Sequence, residues 1–135
     1  MQRILYMTSH RQFKITPPAL EKMKAHMTGA YPKEGCGILA GDDGGLIEEI
    51  FCTVNGAAQE RSGRRYEIEP LILYELEKKA EEKGYCILGF YHSHPDCRAV
   101  LSPEDSEHMI PQMLYVIASV YKGKCREVRG YIKDL

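Results

Sequence analysis

Short apolar runs alternate with polar stretches along most of the chain and predict a mixture of strands and helices. Stretches with the composition of strands occur at residues 13–16, 34–40, 46–54, 66–69, 113–121 and 127–132. The glycine- and aspartate-rich stretch 41–45 predicts a hairpin turn between two of them. Residues 1–11 mix polar and apolar side chains without a clear period, so no element is predicted there.

Two longer helices are predicted from their start signals and from apolar spacing. Thr16 followed by two prolines is typical of a helix N-terminus, and Pro32 ends this first helix. Pro70 begins the second helix and Gly84 lies at its end. Each helix has one apolar face at helical spacing: Leu20, Met23, Met27 and Tyr31 in the first, and Leu73, Leu76 and Ala80 in the second. Strands mixed with two or three helices predict an α/β or α+β layered fold.

The stretch 86–94 combines a buried strand with two histidines. Residues 86–91 are almost all apolar, which predicts a strand buried on both faces. If the strand continues to His94, then His92 and His94 project from the same face, and Pro95 ends the strand. Two histidines on one face at a strand end are typical of half of a zinc site. Two solvent-facing polar residues are the ordinary alternative, which the apolar strand disfavours.

A third ligand is predicted from the next element. Ser102 and Pro103 have the composition of a helix start, with Asp105 at the third helical position. The loop 96–101 is long enough to bring this helix back over the strand end, where Asp105 would add an oxygen ligand. Zinc with three protein ligands keeps a position for water, which is the catalytic arrangement. A plain capping box is the alternative for Ser102 and Asp105, but both halves of a site in one segment favour the metal.

Length and charge limit the remaining classes of function. A chain of 135 residues predicts one domain spanning 1–135. The formal net charge of −1 disfavours non-specific nucleic-acid binding. No apolar run is long enough for a membrane span, and no secretory signal is evident, so we expect a cytoplasmic protein without membrane partners.

The five cysteines are an odd number without paired spacing, which predicts reduced thiols. Cys36, Cys52 and Cys86 occur in strand-like runs and are expected in the core. Cys97 follows the histidines closely and could compete as a metal ligand, although a loop cysteine without a metal role is the preferred interpretation.

The motif resembles that of a known family. His92-Ser93-His94-Pro95, six residues, Ser102, two residues and Asp105 resemble the JAMM motif of the MPN-plus zinc metalloproteases. The family pattern has Ser or Thr between the histidines and a Glu upstream. The segment beginning at Glu34 resembles the Glu-bearing strand of the small stand-alone prokaryotic members. The resemblance covers roughly residues 13–134 and implies a curved mixed sheet flanked by helices, similar to the cytidine-deaminase-like architecture.

Amide hydrolysis also requires a base close to the metal. The residues themselves leave four candidates: Glu34, Asp96, Glu104 and Glu107. Glu34 opens an apolar strand, where partial desolvation would raise the pKa of its carboxyl toward that of a useful base.

The resemblance goes further than these patterns in assigning roles. It implies that Glu34 is the catalytic base, and that Ser102 helps bind the water or the oxyanion. It also implies that His92, His94 and Asp105 hold Zn²⁺. His108, one turn after Asp105, lies outside the motif and is interpreted as a surface or supporting residue.

The resemblance implies a zinc-dependent hydrolase that cleaves a peptide or isopeptide bond after the Gly-Gly tail of a ubiquitin-like or sulfur-carrier protein. A non-catalytic MPN scaffold is disfavoured because such members typically lack motif ligands. A zinc deaminase is disfavoured because its His-x-Glu and Pro-Cys-x-x-Cys signature is absent. A zinc hydrolase of a small-molecule amide stays open. The polar loop 56–65 predicts a solvated connector, although one of Arg61, Arg64 and Arg65 could contact a substrate carboxylate.

Overall fold

Seven strands form one mixed sheet in the computed structural model. The structure describes residues 4–7, 12–53, 70–107 and 109–133, without the side chains of residues 4–7, 104 and 105. The elements in chain order are β1 (Ile4–Met7), β2 (Gln12–Ile15), α1 (Pro17–Ala30), β3 (Cys36–Gly41), β4 (Leu46–Thr53), α2 (Pro70–Glu82), β5 (Cys86–Pro95), α3 (Pro103–Glu107), β6 (Leu114–Tyr121) and β7 (Lys124–Ile132).

The strand order across the sheet is β1-β2-β4-β3-β5-β6-β7. The β2–β4 and β5–β6 pairs are parallel, and the other neighbours are antiparallel. The two outer strands, β1 and β7, also approach each other, so the sheet is curved. The predicted fold class, a curved mixed sheet flanked by helices, is therefore confirmed.

The core lies on both faces of the sheet because neighbouring strand residues point in opposite directions. In β3, Leu39 packs in a cluster with Met23 and Met27 of α1. The adjacent Ile38 packs in a second cluster with Leu76 of α2. The continuous apolar run in β5 follows from this arrangement, since a strand covered on both sides has no wet face.

Helix α1 has the start and the end that the sequence predicts. The Thr16 hydroxyl accepts a hydrogen bond from the Ala19 N–H at 3.4 Å, and the helix ends at Ala30, two positions before Pro32. No helix in the described parts of the chain is long and apolar enough to cross a membrane.

A close backbone approach fixes the spacing between β3, β4 and the core. A Cβ on Gly37 would lie 2.4 Å from the Phe51 carbonyl oxygen and 2.5 Å from the Tyr91 ring. Only glycine fits here, because the aromatic ring occupies the space of a side chain.

Several sequence predictions differ from the structure or lie outside it. The short strand β1 was not predicted, and β7 begins at Lys124 rather than at residue 127. Cys36 is buried, but Cys52 and Cys86 are exposed, so the prediction that they are core residues was wrong. Their strands place these positions on the solvent side or at the strand start. All five cysteines are free thiols. The predicted loop 56–65 with its arginines, the strand 66–69 and His108 lie outside the described residues.

Candidate active site

The two histidines of the motif meet at the carboxyl end of β5. Their Nε2 atoms are 3.2 Å apart, and His92 is only 1% exposed. Two nitrogen ligands at 2.0–2.1 Å from a tetrahedral zinc ion would be about 3.3 Å apart. The imidazoles of His92 and His94 therefore have the spacing of adjacent positions around one zinc ion, and zinc binding by this pair stays a prediction.

The second nitrogen of His94 fixes which nitrogen can bind a metal. Nδ1 of His94 lies 2.9 Å from the Arg98 carbonyl oxygen. A carbonyl oxygen only accepts, so Nδ1 carries the proton and Nε2 keeps its lone pair. Metal-binding histidines typically have such a partner for the distal nitrogen.

Successive residues of β5 point to opposite faces of the sheet, so the two histidines and Tyr91 lie on different sides. Phe90, His92 and His94 share one face of β5, and Phe90 packs in the cluster that includes α2. Tyr91 points to the other face, where its hydroxyl lies 2.6 Å from Nδ1 of His26 in α1. Both histidines therefore project away from α1, at the end of a strand that is anchored on its other side.

Glu34 lies beside this pair through the neighbouring strand. Cys36 of β3 is directly opposite His92 in the antiparallel register, and Glu34 precedes it by two residues with 3% exposure. Burial, together with the charge of Glu34, raises the pKa of the Cys36 thiol to about 12. In this register, continued by the Gly35–Ser93 hydrogen bonds, Glu34 is placed across from His94 at the end of β5.

The residue between the histidines holds the Glu34 segment in position. The Ser93 hydroxyl accepts a hydrogen bond from the Gly35 N–H at 2.8 Å, and the Ser93 N–H donates to the Gly35 carbonyl at 3.0 Å. A Cβ on Gly35 would lie 3.1 Å from Cβ of Ala30 and 3.2 Å from Cα of Met27, so the chain passes tightly over the end of α1. Sequence reasoning assigned Ser93 no role beyond filling the motif.

Ser102 precedes α3 and faces the same space as His94. Its carbonyl accepts from the Ser106 N–H at 2.9 Å, which begins the helix. His94, Val100 and Ser102 line one groove of about 520 Å³, and the exposed Cys97 lines it as well. The groove therefore opens onto one side of His94.

Asp105 belongs to α3, but its side chain lies outside the description, so its convergence with the histidines stays a prediction. Among the side chains that the structure describes, no group of three or more His, Cys, Asp or Glu residues is placed to hold a metal ion.

Asp96, one of the four candidate bases, is engaged in hydrogen bonds that hold its loop in place. Its Oδ1 accepts from the Lys122 N–H at 2.8 Å, and its Oδ2 accepts from the Tyr31 hydroxyl at 2.7 Å. These two bonds hold the pKa of the Asp96 carboxyl below its usual value, which makes it a poor proton acceptor. Glu107 is exposed on α3, and the side chain of Glu104 lies outside the description.

Comparison with known proteins identifies the family of the chain. Residues 16–131 match the family described as prokaryotic homologs of the JAB domain. The chain belongs to this family. The resemblance to the MPN-plus proteins that the motif indicated is thereby confirmed.

Curated relatives of this JAB-domain chain have names that describe peptidases. A desampylase from Haloferax volcanii is 34% identical over 84% of this chain and 84% of its own length. A probable TtuB-protein conjugate cleaving protease from Thermus thermophilus is 34% identical over 73% of this chain and 64% of its own length. A CysO-cysteine peptidase from Mycobacterium tuberculosis is 29% identical over 81% of this chain and 74% of its own length.

Solved structures agree on the fold. A protein from Salinibacter ruber is 34% identical, covers 87% of this chain and 80% of its own, and superposes with a TM-score of 0.66. A JAB1/MPN domain protein from Archaeoglobus fulgidus is 17% identical, covers 90% of this chain and 89% of its own, and has a TM-score of 0.59. The second likeness shows the shared fold alone.

Proposed function

We propose that this JAB-domain chain is a zinc-dependent peptidase that cleaves the bond after the Gly-Gly tail of a ubiquitin-like or sulfur-carrier protein. The observation that carries the proposal is the 3.2 Å separation of the His92 and His94 Nε2 atoms, beside a groove that His94 lines. Membership of the family and the peptidase names of the relatives support it.

In this proposal His92, His94 and Asp105 hold the zinc ion. Bound zinc would polarise the scissile carbonyl and make the attacking water more acidic. His94 is already oriented for this task, since its Nδ1 proton is directed to the Arg98 carbonyl.

Glu34 acts as the general base in this proposal. It takes the proton of the attacking water and later gives it to the leaving amine. Its 3% exposure supports this role, because a buried carboxylate exchanges protons with few competing solvent molecules. Ser102, at the groove wall, donates its hydroxyl hydrogen toward the oxygen on which negative charge develops.

We expect the tail that enters this groove to lack side chains at the scissile bond. Val100 is 51% exposed at its wall, and Leu101 and Pro103 also line it, so an extended backbone would pass over apolar side chains to reach His94. Glycine permits the closest approach of a backbone to the metal position. In this proposal the substrate is therefore a β-grasp carrier that ends in Gly-Gly.

The test combines metal analysis with a cleavage assay. The purified chain is analysed for zinc and then incubated with small β-grasp carriers that are extended beyond Gly-Gly. We expect cleavage directly after the last glycine, loss of cleavage with a chelator and recovery with added zinc. His92→Ala, His94→Ala and Asp105→Ala should lose zinc and activity together. A zinc-loaded chain that cleaves no carrier would refute the proposal and leave a small-molecule amide hydrolase. A wild-type chain that binds no zinc would leave a non-catalytic scaffold.

Substrate selectivity is tested on the carrier itself. Replacing the last glycine of the tail by valine should abolish cleavage while the carrier stays folded, because the added side chain keeps the scissile carbonyl away from the metal position. Thermal unfolding of the two carriers is the control for their folding. Equal cleavage of the glycine and valine carriers would contradict the groove argument and indicate a general peptidase.

A further inference from the structure

The peptide group between Arg98 and Ala99, here called the bridging peptide, connects His94 to a carboxylate on another strand. Its carbonyl oxygen lies 2.9 Å from Nδ1 of His94. Its N–H donates to Oε1 of Glu127 at 3.0 Å. The C=O and N–H of a trans peptide point in opposite directions, so one rigid unit contacts the imidazole on one side and the carboxylate on the other.

The strand register explains why these groups can be linked. His94 is paired with Ser119 of β6, and Ser119 is paired with Glu127 of β7. The three residues form one row across the sheet and share a face. Neighbouring strands are about 4.8 Å apart, so His94 and Glu127 are separated by roughly 10 Å. The bridging peptide spans this gap above Ser119.

Two cations hold the Glu127 carboxylate in the required orientation. Arg129 Nε donates to Oε2 at 2.8 Å, and Arg98 Nη2 donates to the same oxygen at 3.2 Å. The other oxygen, Oε1, accepts from the bridging peptide. The Ala99 N–H and the two guanidinium groups lower the pKa of the Glu127 carboxyl, so it is ionised at neutral pH.

We propose that Glu127 is a positioning residue for His94 that acts through the bridging peptide. A carboxylate that accepts from an amide N–H polarises the amide and strengthens its carbonyl as an acceptor. The carbonyl then holds the proton on Nδ1 of His94 and directs the Nε2 lone pair to the metal position. A carboxylate that supports a metal-binding histidine usually contacts it directly; here the contact passes through a peptide group.

This inference rests on the proposed zinc site, and its test has two readouts that need no peptidase activity. The first is the tautomer of His94 in the metal-free protein at pH 8, measured from the ¹⁵N shifts of the ring. The second is zinc affinity, measured by competition with a chelator. Glu127→Ala should shift His94 away from the Nδ1–H tautomer and weaken zinc binding roughly 10- to 100-fold. Glu127→Gln keeps an acceptor oxygen without the charge, and its tautomer population and zinc affinity should lie between those of the wild type and Glu127→Ala.

Two control variants separate this role from general stability. Glu49 is also a half-buried strand carboxylate that binds two cations, Lys22 at 3.1 Å and Lys83 at 2.9 Å. Glu49→Ala should leave the tautomer and the zinc affinity unchanged. Tyr131→Phe removes a second anchor of the loop, the 2.7 Å bond to the Ala99 carbonyl, and leaves the carboxylate link intact.

The outcomes distinguish this inference from the proposed function. A His94 tautomer that is unchanged in Glu127→Ala overturns the inference, whether or not zinc binds. Equal effects of Tyr131→Phe and Glu127→Ala on both readouts also overturn it, because loop anchoring would then be sufficient. If wild-type protein binds no zinc, the proposed function fails, and the tautomer measurement still decides the role of Glu127.

Discussion

Removing the Ser93 hydroxyl tests how the Glu34 segment is held. In Ser93→Ala the Gly35 N–H loses the acceptor that now lies at 2.8 Å, while the reverse backbone bond at 3.0 Å is kept. Gly35 is buried, so water does not replace the missing acceptor. An unsatisfied buried amide costs roughly 1–3 kcal/mol, and we expect the free energy of unfolding to fall by that amount.

The same change should reduce turnover through Glu34. Glu34 is bonded directly to Gly35, and a displacement of about 1 Å in a catalytic group can reduce the rate on the order of 100-fold. His92 and His94 remain on β5, so zinc content should not change. We therefore expect kcat to fall roughly 10- to 100-fold at constant metal loading.

Unfolding is measured in urea by circular dichroism with a chelator present, so that zinc binding does not contribute to stability. Turnover is measured on the zinc-loaded protein. Ser93→Thr is the matched control, since it keeps the hydroxyl and the family pattern has Ser or Thr at this position. If Ser93→Ala equals wild type in both assays, or if Ser93→Thr is as damaging as Ser93→Ala, the hydroxyl does not hold this segment.

Three further predictions address the base, the core and the loop anchor. Glu34→Gln should keep zinc and lose about 10²- to 10⁴-fold in kcat, and near-normal turnover would reassign the base. In Gly37→Ala the added methyl would lie 2.4 Å from a β4 carbonyl oxygen, so the free energy of unfolding in urea should fall by roughly 1–3 kcal/mol. Gly29→Ala is the control: Gly29 has open space around it in α1, so this change should raise the free energy of unfolding, and equal effects of the two changes would contradict the packing argument. The pKa of Asp96 is lower in the folded protein than in the unfolded chain, so its stabilising effect is complete above about pH 4 and is lost as pH falls through the folded-state pKa. Asp96→Asn should therefore lower the free energy of unfolding in urea more at pH 7 than near pH 2, and equal losses at the two pH values would refute this.

The sequence was sufficient where the signal was local. The spacing of His92 and His94 on an apolar strand predicted that they share a face, and the Thr16 signal predicted where α1 begins. Both features depend only on periodicity and on a few adjacent residues. The family pattern, which includes a Glu upstream of the histidines, also pointed to Glu34; this residue is buried, and its role as the base stays a prediction.

Features that depend on distant pairs were missed or misassigned. Glu127 lies 29 residues after Arg98 in the chain, and no spacing rule relates the two. Asp96 was a candidate base because it is close to the histidines in sequence, but its carboxylate oxygens accept hydrogen bonds from Tyr31 and from the β6–β7 turn. Cys52 has apolar neighbours in sequence, yet the alternation of β4 exposes it. The contacts of Glu127 and Asp96 and the exposure of Cys52 all depend on how the strands are arranged in the sheet, which no local pattern in the sequence specifies.

The loop 96–101 also explains why the motif has a fixed spacer. Asp96 at its start is bound to the β6–β7 turn, and Ala99 in its middle is bound to β7. Its end delivers Ser102 to the groove beside His94. Six residues are thus the chain length needed to cross two strand widths and return. An insertion here would move Ser102 and the start of α3 away from the histidines without altering any of these residues, so the length of the loop is as much a part of the candidate site as its named residues.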